Sequence, residues 1–344
     1  MPRQEEGLIC RAAVALGYLF CCSCCFAAVE SVDCQFSIHT IFLALTTDAV
    51  REAGNNALVD ASVTYDEVEQ ASVGYVFGES TSGNRAAYEL GLTGIPITNV
   101  NNNCSTGSTA LFQARQVVAG GLADCAMAIG FEKMQRGSLA LGSSDRESPT
   151  DRHMAECAAV YGKPVPEGMP PAPFLFAVAG MEHMKRYGTT AAQFGKVAEK
   201  NHRHSINNPF AQFQKEYSLD EIMGAKTIAG PLTMLQCSPT SEGAGAAVLC
   251  SEDFVIRHGL QEQAVEIIAQ AMTTDMGSSF AGSAIDCCGR DMTRRAAEQC
   301  FAQSGLSPKD VQVIELHDCF STNELITYEG LGLCGEGEVR HSSR

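Results

Sequence analysis

The chain has 344 residues, 45% hydrophobic and 19% charged, a globular composition with room for two or three packed units. Its formal charge of −16 argues against nucleic acid as a partner. Six of its 16 cysteines fall in the first 34 residues, and the other ten are scattered through apolar segments with no CxxC pair. Zinc-ligand spacing is absent, so no metal site is expected and most thiols read as reduced and buried. The charge is uneven. Residues 133–235 hold as many Lys and Arg as the rest of the chain together, and they alone carry a positive balance. Two readings stay open: a solvated mixed surface, or a local site for an anionic ligand.

Residues 12–29 (AAVALGYLFCCSCCFAAV) carry no charge. They just reach the length of a membrane-spanning helix. They also resemble the apolar core of a signal peptide, although Glu5 and Glu6 offset Arg3 and Arg11, so the basic flank is missing. The third reading is a non-native leader joined to an ordinary enzyme body. Membrane association is left open by these three readings.

A weak internal repeat organises the rest. Residues 48–75 align without gaps on 291–318: Ala53 with Ala296, Val63 with Leu306, Val68 with Val311, Val73 with Leu316. Ala49, Ala53 and Ala57 recur at helical spacing, as do Met292, Ala296 and Cys300. Asp48 and Asp291 are candidate N-caps. Both copies read as helix, turn, strand. In the first copy, 95–101 is a strand candidate, Asn101-Asn102-Asn103 a turn, 105–118 a helix stopped by Gly120-Gly121, and 125–130 a buried strand. An insertion rich in Pro, His and basic residues follows, and the apolar run resumes at 243–250. Its GAGAA does not open a helix after a strand, so it is not read as a dinucleotide fingerprint. The run at 265–270 begins the second half, with its counterpart at 22–27. Alternating strands and helices imply a layered α/β architecture.

Cys104 sits between a strand and a helix. There the unpaired N–H groups and helix dipole favour a thiolate, and a backbone N–H can face an oxyanion. Ser105, Thr106, Gly107 and Ser108 leave room for a substrate. Asn103-Cys104-Ser105 also matches the glycosylation sequon, which a buried turn makes accidental. A buried, inert thiol is the ordinary alternative for any cysteine.

The segments NNNCSTGS around Cys104, GFEKM at 130–134, NHRHSINNPF at 201–210, QCSPTSEGAGAAVL at 236–249 and ELHDCFSTNEL at 315–325 together resemble the sterol-carrier-protein branch of the thiolases. The resemblance runs from about residue 49 to 334, and HDCF is specific to that branch. It implies a duplicated, layered α-β-α-β-α fold with an incomplete second half. The implied units are a leader at 1–44, an N-terminal core at 45–132 continued by 236–260, an inserted CoA-binding loop domain at 133–235, and a partial C-terminal core at 261–344. The implied reaction is thiolytic cleavage of 3-oxoacyl-CoA, branched and bile-acid-type chains included, by CoA as co-substrate. No permanently bound cofactor is implied. Cys104 would carry the acyl group, His317 would polarise the reacting oxygen, and Cys319 would handle the α-carbon proton. His317 and Cys319, two apart at a strand end, would share one face. Asp318 would point away and be structural. His202 and His204 are candidate pocket residues or ordinary surface histidines. A homodimer is implied, with a peroxisomal setting, although Ser-Ser-Arg at the end is not a peroxisomal address, so cytoplasm or mitochondrion stays open.

Departures lie at both ends. The family's first strand, its Gly-His-Pro motif and its glycine-rich loop are missing, and GEGEVRHSSR does not continue the pattern. The expectation is a chain impaired in turnover. The alternative is a non-catalytic, thiolase-like subunit that binds acyl-CoA or pairs with an intact chain.

Overall fold

The protein is described by a computed structural model covering residues 46–135 and 147–338, with the backbone of 13–17. In chain order the elements are β1 (Ala13–Gly17), α1 (Thr46–Asp60), β2 (Gln70–Gly74), α2 (Ser82–Ala87), β3 (Ile97–Val100), α3 (Thr106–Ala119) and β4 (Cys125–Lys133). Then come α4 (Asp151–Tyr161), α5 (Pro171–Tyr187), α6 (Ala191–Ser205), α7 (Leu219–Gly224), β5 (Thr227–Ala229) and β6 (Leu232–Thr233). The remainder is β7 (Glu242–Cys250), α8 (Glu252–His258), β8 (Ile267–Met272), α9 (Ala284–Cys287), α10 (Arg290–Ser304) and α11 (Ser321–Gly330).

The central sheet runs β3-β2-β4-β7. β2 is parallel to both β3 and β4, and β7 returns antiparallel to β4 across the whole length of both. The sequence pattern explains the layering. β4 is apolar on both faces and buried along nearly its whole length, as a strand covered on two sides must be. α1 buries Ala49, Val50, Ala53 and Ala57 on one face of this sheet, with Phe131 and Ala244 in the same core. α3 covers the other face, packing Ala110, Ala114 and Val117 on Ala126, Ala128 and Ala247. Small side chains there let helix and sheet approach closely. GAGAA lies inside β7, which excludes the loop-to-helix geometry of a dinucleotide site.

Residues 147–235 are mostly helical. α5 is buried on nearly every side at Phe174, Leu175, Phe176, Ala177, Val178 and Ala179, and packs with α9, Cys319 and Phe320. α10 buries the predicted face Met292, Ala296 and Cys300, the last two against Ala269 and Ala271 of β8.

Two expectations are corrected. Asp48 and Asp291 are not N-caps. Both lie in the first turn, and Gly289, at φ 99°, caps α10. There each aspartate still faces the positive helix end. The strand expected after the second helix and turn does not form; residues 311–318 are irregular, and Val313 and Ile314 are exposed. A strand needs an adjacent edge for its N–H and C=O groups, and among the described residues none pairs with this segment. β8 instead pairs in parallel with β1, from within the apolar leader. The predicted counterpart of β8, residues 22–27, and all of 12–29 except 13–17 lie outside the described residues. Among the described residues no helix is long and apolar enough to cross a membrane.

Candidate active site

The turn from β3 to α3 is built to present Cys104. Asn103 adopts φ 47°, the left-handed region that short polar Asn tolerates better than most residues. The kink is locked from both sides. Ser105 N–H and Oγ–H donate to Asn102 O at 3.1 and 3.0 Å. Thr106 Oγ1 accepts from Asn102 N–H at 2.9 Å and donates to Asn103 O. Asn102 Nδ2 reaches Thr109 Oγ1 at 3.0 Å, and Thr109 Oγ1 donates to Ser105 O at 2.8 Å. Cys104 thus sits half-buried two residues ahead of a 14-residue helix, whose first N–H groups lack intrahelical partners. The sheet presses on this turn from below. A Cβ on Gly74, at the end of β2, would lie 2.6 Å from Thr106 Cγ2 and 2.8 Å from Thr106 O.

His317 and Cys319 are held by a different device. They lie in the irregular lead-in to α11, not at a strand end, which corrects the expected shared face. Asn323 Nδ2 donates to His317 O at 2.7 Å, and Ser238 N–H donates to Cys319 O at 2.8 Å. Phe320 bridges antiparallel to Cys237, and its ring lies 5.1 Å from that of Phe176. Cys319 is buried among these apolar groups and, like Cys104, precedes a helix by two residues. Cys104 and Cys319 thus each stand two residues before a helix, one in each half of the chain.

Asp318 faces another set of partners. Asn201 Nδ2 donates to Asp318 Oδ2 at 3.0 Å and to Glu324 Oε2 at 2.7 Å. Lys200 Nζ pairs with Glu324 Oε1 and donates to Tyr328 OH at 3.0 Å. Partial loss of hydration and the Glu324 carboxylate push the Asp318 carboxyl up from its ordinary value, an effect tempered by the water that still reaches this exposed residue. This network fastens α6 to α11 and fixes the direction in which 317–319 leave. Sequence reasoning missed Lys200, Asn201, Glu324 and Tyr328. Asn201 and Glu324 lie inside the NHRHSINNPF and ELHDCFSTNEL segments, so the signal was in those motifs. Glu132, within GFEKM, was also missed. Its buried carboxylate accepts from Val76 N–H at 2.9 Å and Phe77 N–H at 3.2 Å, holding the loop after β2.

His202 has a structural role, with Nε2 3.1 Å from Leu235 O and its ring edge-on to Tyr217. His204 is exposed. Two open depressions of about 300 and about 480 Å³ lie beside α1 and α2, and neither includes Cys104, His317 or Cys319.

Comparison with known proteins places this geometry. The thiolase N-terminal domain family matches residues 44–253, and the thiolase C-terminal domain-like family matches residues 276–343. The chain belongs to the thiolase family. It is 59% identical over 293 residues to sterol carrier protein 2 of Bos taurus, covering 85% of this chain and 53% of that protein. It is 46% identical to non-specific lipid-transfer protein-like 2 of Caenorhabditis elegans, covering 86% of this chain and 72% of the relative. The chain thus spans about half the length of the sterol carrier relatives it matches. A solved structure titled Ltp2-ChsH2(DUF35) aldolase shares the fold, with a TM-score of 0.67 at 23% identity over 86% of this chain and 74% of that one. The C-terminal match also corrects one reading of the sequence. Residues 335–338 do continue the fold: Gly337 N–H donates to buried Glu329 at 2.7 Å, and Tyr187 OH donates to Glu336 at 2.6 Å.

Proposed function

We propose that the protein transfers acyl groups through Cys104, cleaving 3-oxoacyl-CoA with CoA in peroxisomal lipid oxidation, 2-methyl-branched and bile-acid-type chains included. The observation that carries this reading is the locked β3–α3 turn, which holds a half-buried thiol at a helix N-terminus in a chain of the thiolase family. The Cys104 thiolate attacks the 3-oxo carbon and makes a tetrahedral oxyanion. Collapse breaks the bond between carbons 2 and 3. The acyl group stays on Cys104, and the departing acetyl-CoA or propanoyl-CoA enolate takes a proton at carbon 2 from Cys319. Cys319, now a thiolate, takes the proton of the incoming CoA thiol; the CoA thiolate then attacks the acyl-cysteine, releases the shortened acyl-CoA and regenerates Cys104. In this reading His317 polarises the reacting oxygen, and residues 133–235, with their positive balance and exposed Lys196, Arg203 and Lys215, receive the CoA phosphates. The working unit is a homodimer.

The test is a single-turnover reaction of the full chain with a 3-oxoacyl-CoA, followed by peptide mass mapping. The expected result is one acyl adduct, on Cys104, lost in Cys104→Ala. An adduct confined to another cysteine overturns the reading.

A further inference from the structure

Away from Cys104, two other thiols face each other. Cys125 opens β4 and Cys250 closes β7, and the antiparallel register sets them directly opposite. Their sulfurs are 3.7 Å apart. Both are free thiols. The neighbouring pair, Asp124 and Ser251, takes the ladder hydrogen bond, with Ser251 N–H donating to Asp124 O at 2.8 Å. Antiparallel ladders alternate, so Cys125 and Cys250 occupy the narrow, non-hydrogen-bonded position, where Cα atoms come within about 4.5 Å. That separation lies at the short end of the disulfide range. Closing the sulfurs to bonding distance therefore needs side-chain rotation and little movement of the sheet.

The two thiols differ in the way an exchange pair requires. Cys125 is fully buried, and Cys250 is partly open to solvent. The contact with Cys125 lowers the Cys250 thiol, against burial and the carboxylates of Glu67 and Asp124, and the same contact raises Cys125. Those carboxylates are themselves paired, Asp124 with Arg257 at 2.6 Å and Glu67 with His258 at 3.1 Å. The pair also lies at the opposite end of the sheet from Cys104. β4 starts at Cys125, whereas the Cys104 turn follows the far end of β3, which runs in the same direction.

We propose that Cys125 and Cys250 are a thiol–disulfide exchange site that forms a reversible cross-strand disulfide with small disulfide oxidants. Cys250 is the entry thiol. Its thiolate attacks one sulfur of RS–SR, breaks that bond and expels RS⁻, leaving a mixed disulfide on Cys250. Cys125 then attacks the Cys250 sulfur from within the sheet, its proton passing to the second RS⁻ as that group is expelled as RSH. Two protein thiols are oxidised and one RS–SR is reduced to two RSH. Cys125 needs no solvent access for its step. The bond ties β7, the last strand of the central sheet, to β4.

The experiment treats the folded full chain with the neutral probe 2-hydroxyethyl disulfide and maps peptides without reduction. The expected product is a Cys125–Cys250 linked peptide that dithiothreitol reverses, while Cys104 acylation of the linked protein, with any mixed disulfide on Cys104 excluded by the map, stays within about twofold of untreated protein. Cys125→Ser is expected to stall with the probe's half still on Cys250. Cys250→Ser is expected to leave Cys125 unmodified. A wild-type map with Cys250 carrying a persistent mixed disulfide, or with both thiols unchanged, overturns the proposal without reference to any variant. Failure of Cys104 to acylate in untreated protein concerns the proposed activity and not this site.

Discussion

The two copies of the repeat share their local structure and part company at the strand. In the first, α1 is followed by a single 3₁₀ turn, Tyr65–Glu67, closed by a capping box between Thr64 and Glu67. In the second, α10 is followed by the 3₁₀ turn Pro308–Asp310, closed by Ser307 and Asp310. In each helix a first-turn aspartate pairs with an arginine three residues on, Asp48 with Arg51 and Asp291 with Arg294. After the turn, residues 70–74 become β2, buried between β3 and β4, whereas 313–317 stay irregular and expose Val313. The difference shows which signals are local. Caps, turns and first-turn charges act within a few residues and are satisfied twice. A strand is a contract with neighbours, and only the first copy meets a pair of them among the described residues.

The largest expected effect tests what β2 does for the nucleophile. Gly74 ends β2 against the first turn of α3, and its counterpart in the second copy is His317, which carries a full side chain. Gly74→Ala puts a methyl group 3.0 Å or less from three Thr106 atoms, two of them backbone, so α3 must shift and Cys104 with it. Misplacement of this order costs about 100-fold in reactivity. Overpacking adds about 1–3 kcal/mol of instability. Single-turnover acylation and urea unfolding of Gly74→Ala measure both. Wild-type acylation would show that the sheet does not set the Cys104 turn.

A smaller effect separates the two strand segments. Val73→Ala removes two methyl groups from a fully buried site in β2 and is expected to cost about 2 kcal/mol. Val313→Ala, at an exposed site, is expected to change stability by less than about 0.5 kcal/mol. Urea midpoints at constant m-value give the comparison. Equal losses would mean that Val313 is packed in solution as Val73 is.

Much of this was legible in the sequence because it is local or periodic. Ala49, Ala53 and Ala57 announced the buried face of α1, and Met292, Ala296 and Cys300 that of α10. The turn at Asn103 and the helix after Cys104 follow from a strand, three asparagines and a run of small residues. The irregular lead-in to α11 was not legible. VQVIEL has the composition of a strand, and no residue in it records whether an edge is available. Nor was the network that joins Lys200 and Asn201 to Glu324 and Tyr328, two pairs more than a hundred residues apart in sequence, as the Asn201–Glu324 separation of 123 shows. The Cys125–Cys250 contact was hidden for the same reason. Both were visible as apolar-run cysteines, but their juxtaposition depends on the register of β4 on β7.

The smallest effect turns the repeat into a test of backbone strain. α10 ends at Gly305, which takes φ 72° and caps the helix in the left-handed region. The matching position after α1 is Ser62, at φ 54°. Here Val63 N–H donates back to Leu58 O at 3.0 Å, so the same helix-ending turn is made without glycine. An L-residue in this region costs about 1–2 kcal/mol. Ser62→Gly relieves that strain but adds freedom to the unfolded chain, worth about 0.5–1 kcal/mol in the other direction. The net expectation is a gain of about 0.5 kcal/mol. Gly305→Ala is the mirror experiment. No atom lies within 4 Å of its added Cβ, so any loss comes from the backbone alone, and about 1 kcal/mol is expected. Thermal unfolding of the two variants beside the parent chain measures both signs. A stabilising Gly305→Ala, or a Ser62→Gly that loses stability, would mean that the two helix ends are not equivalent and that the repeat stops at the helices.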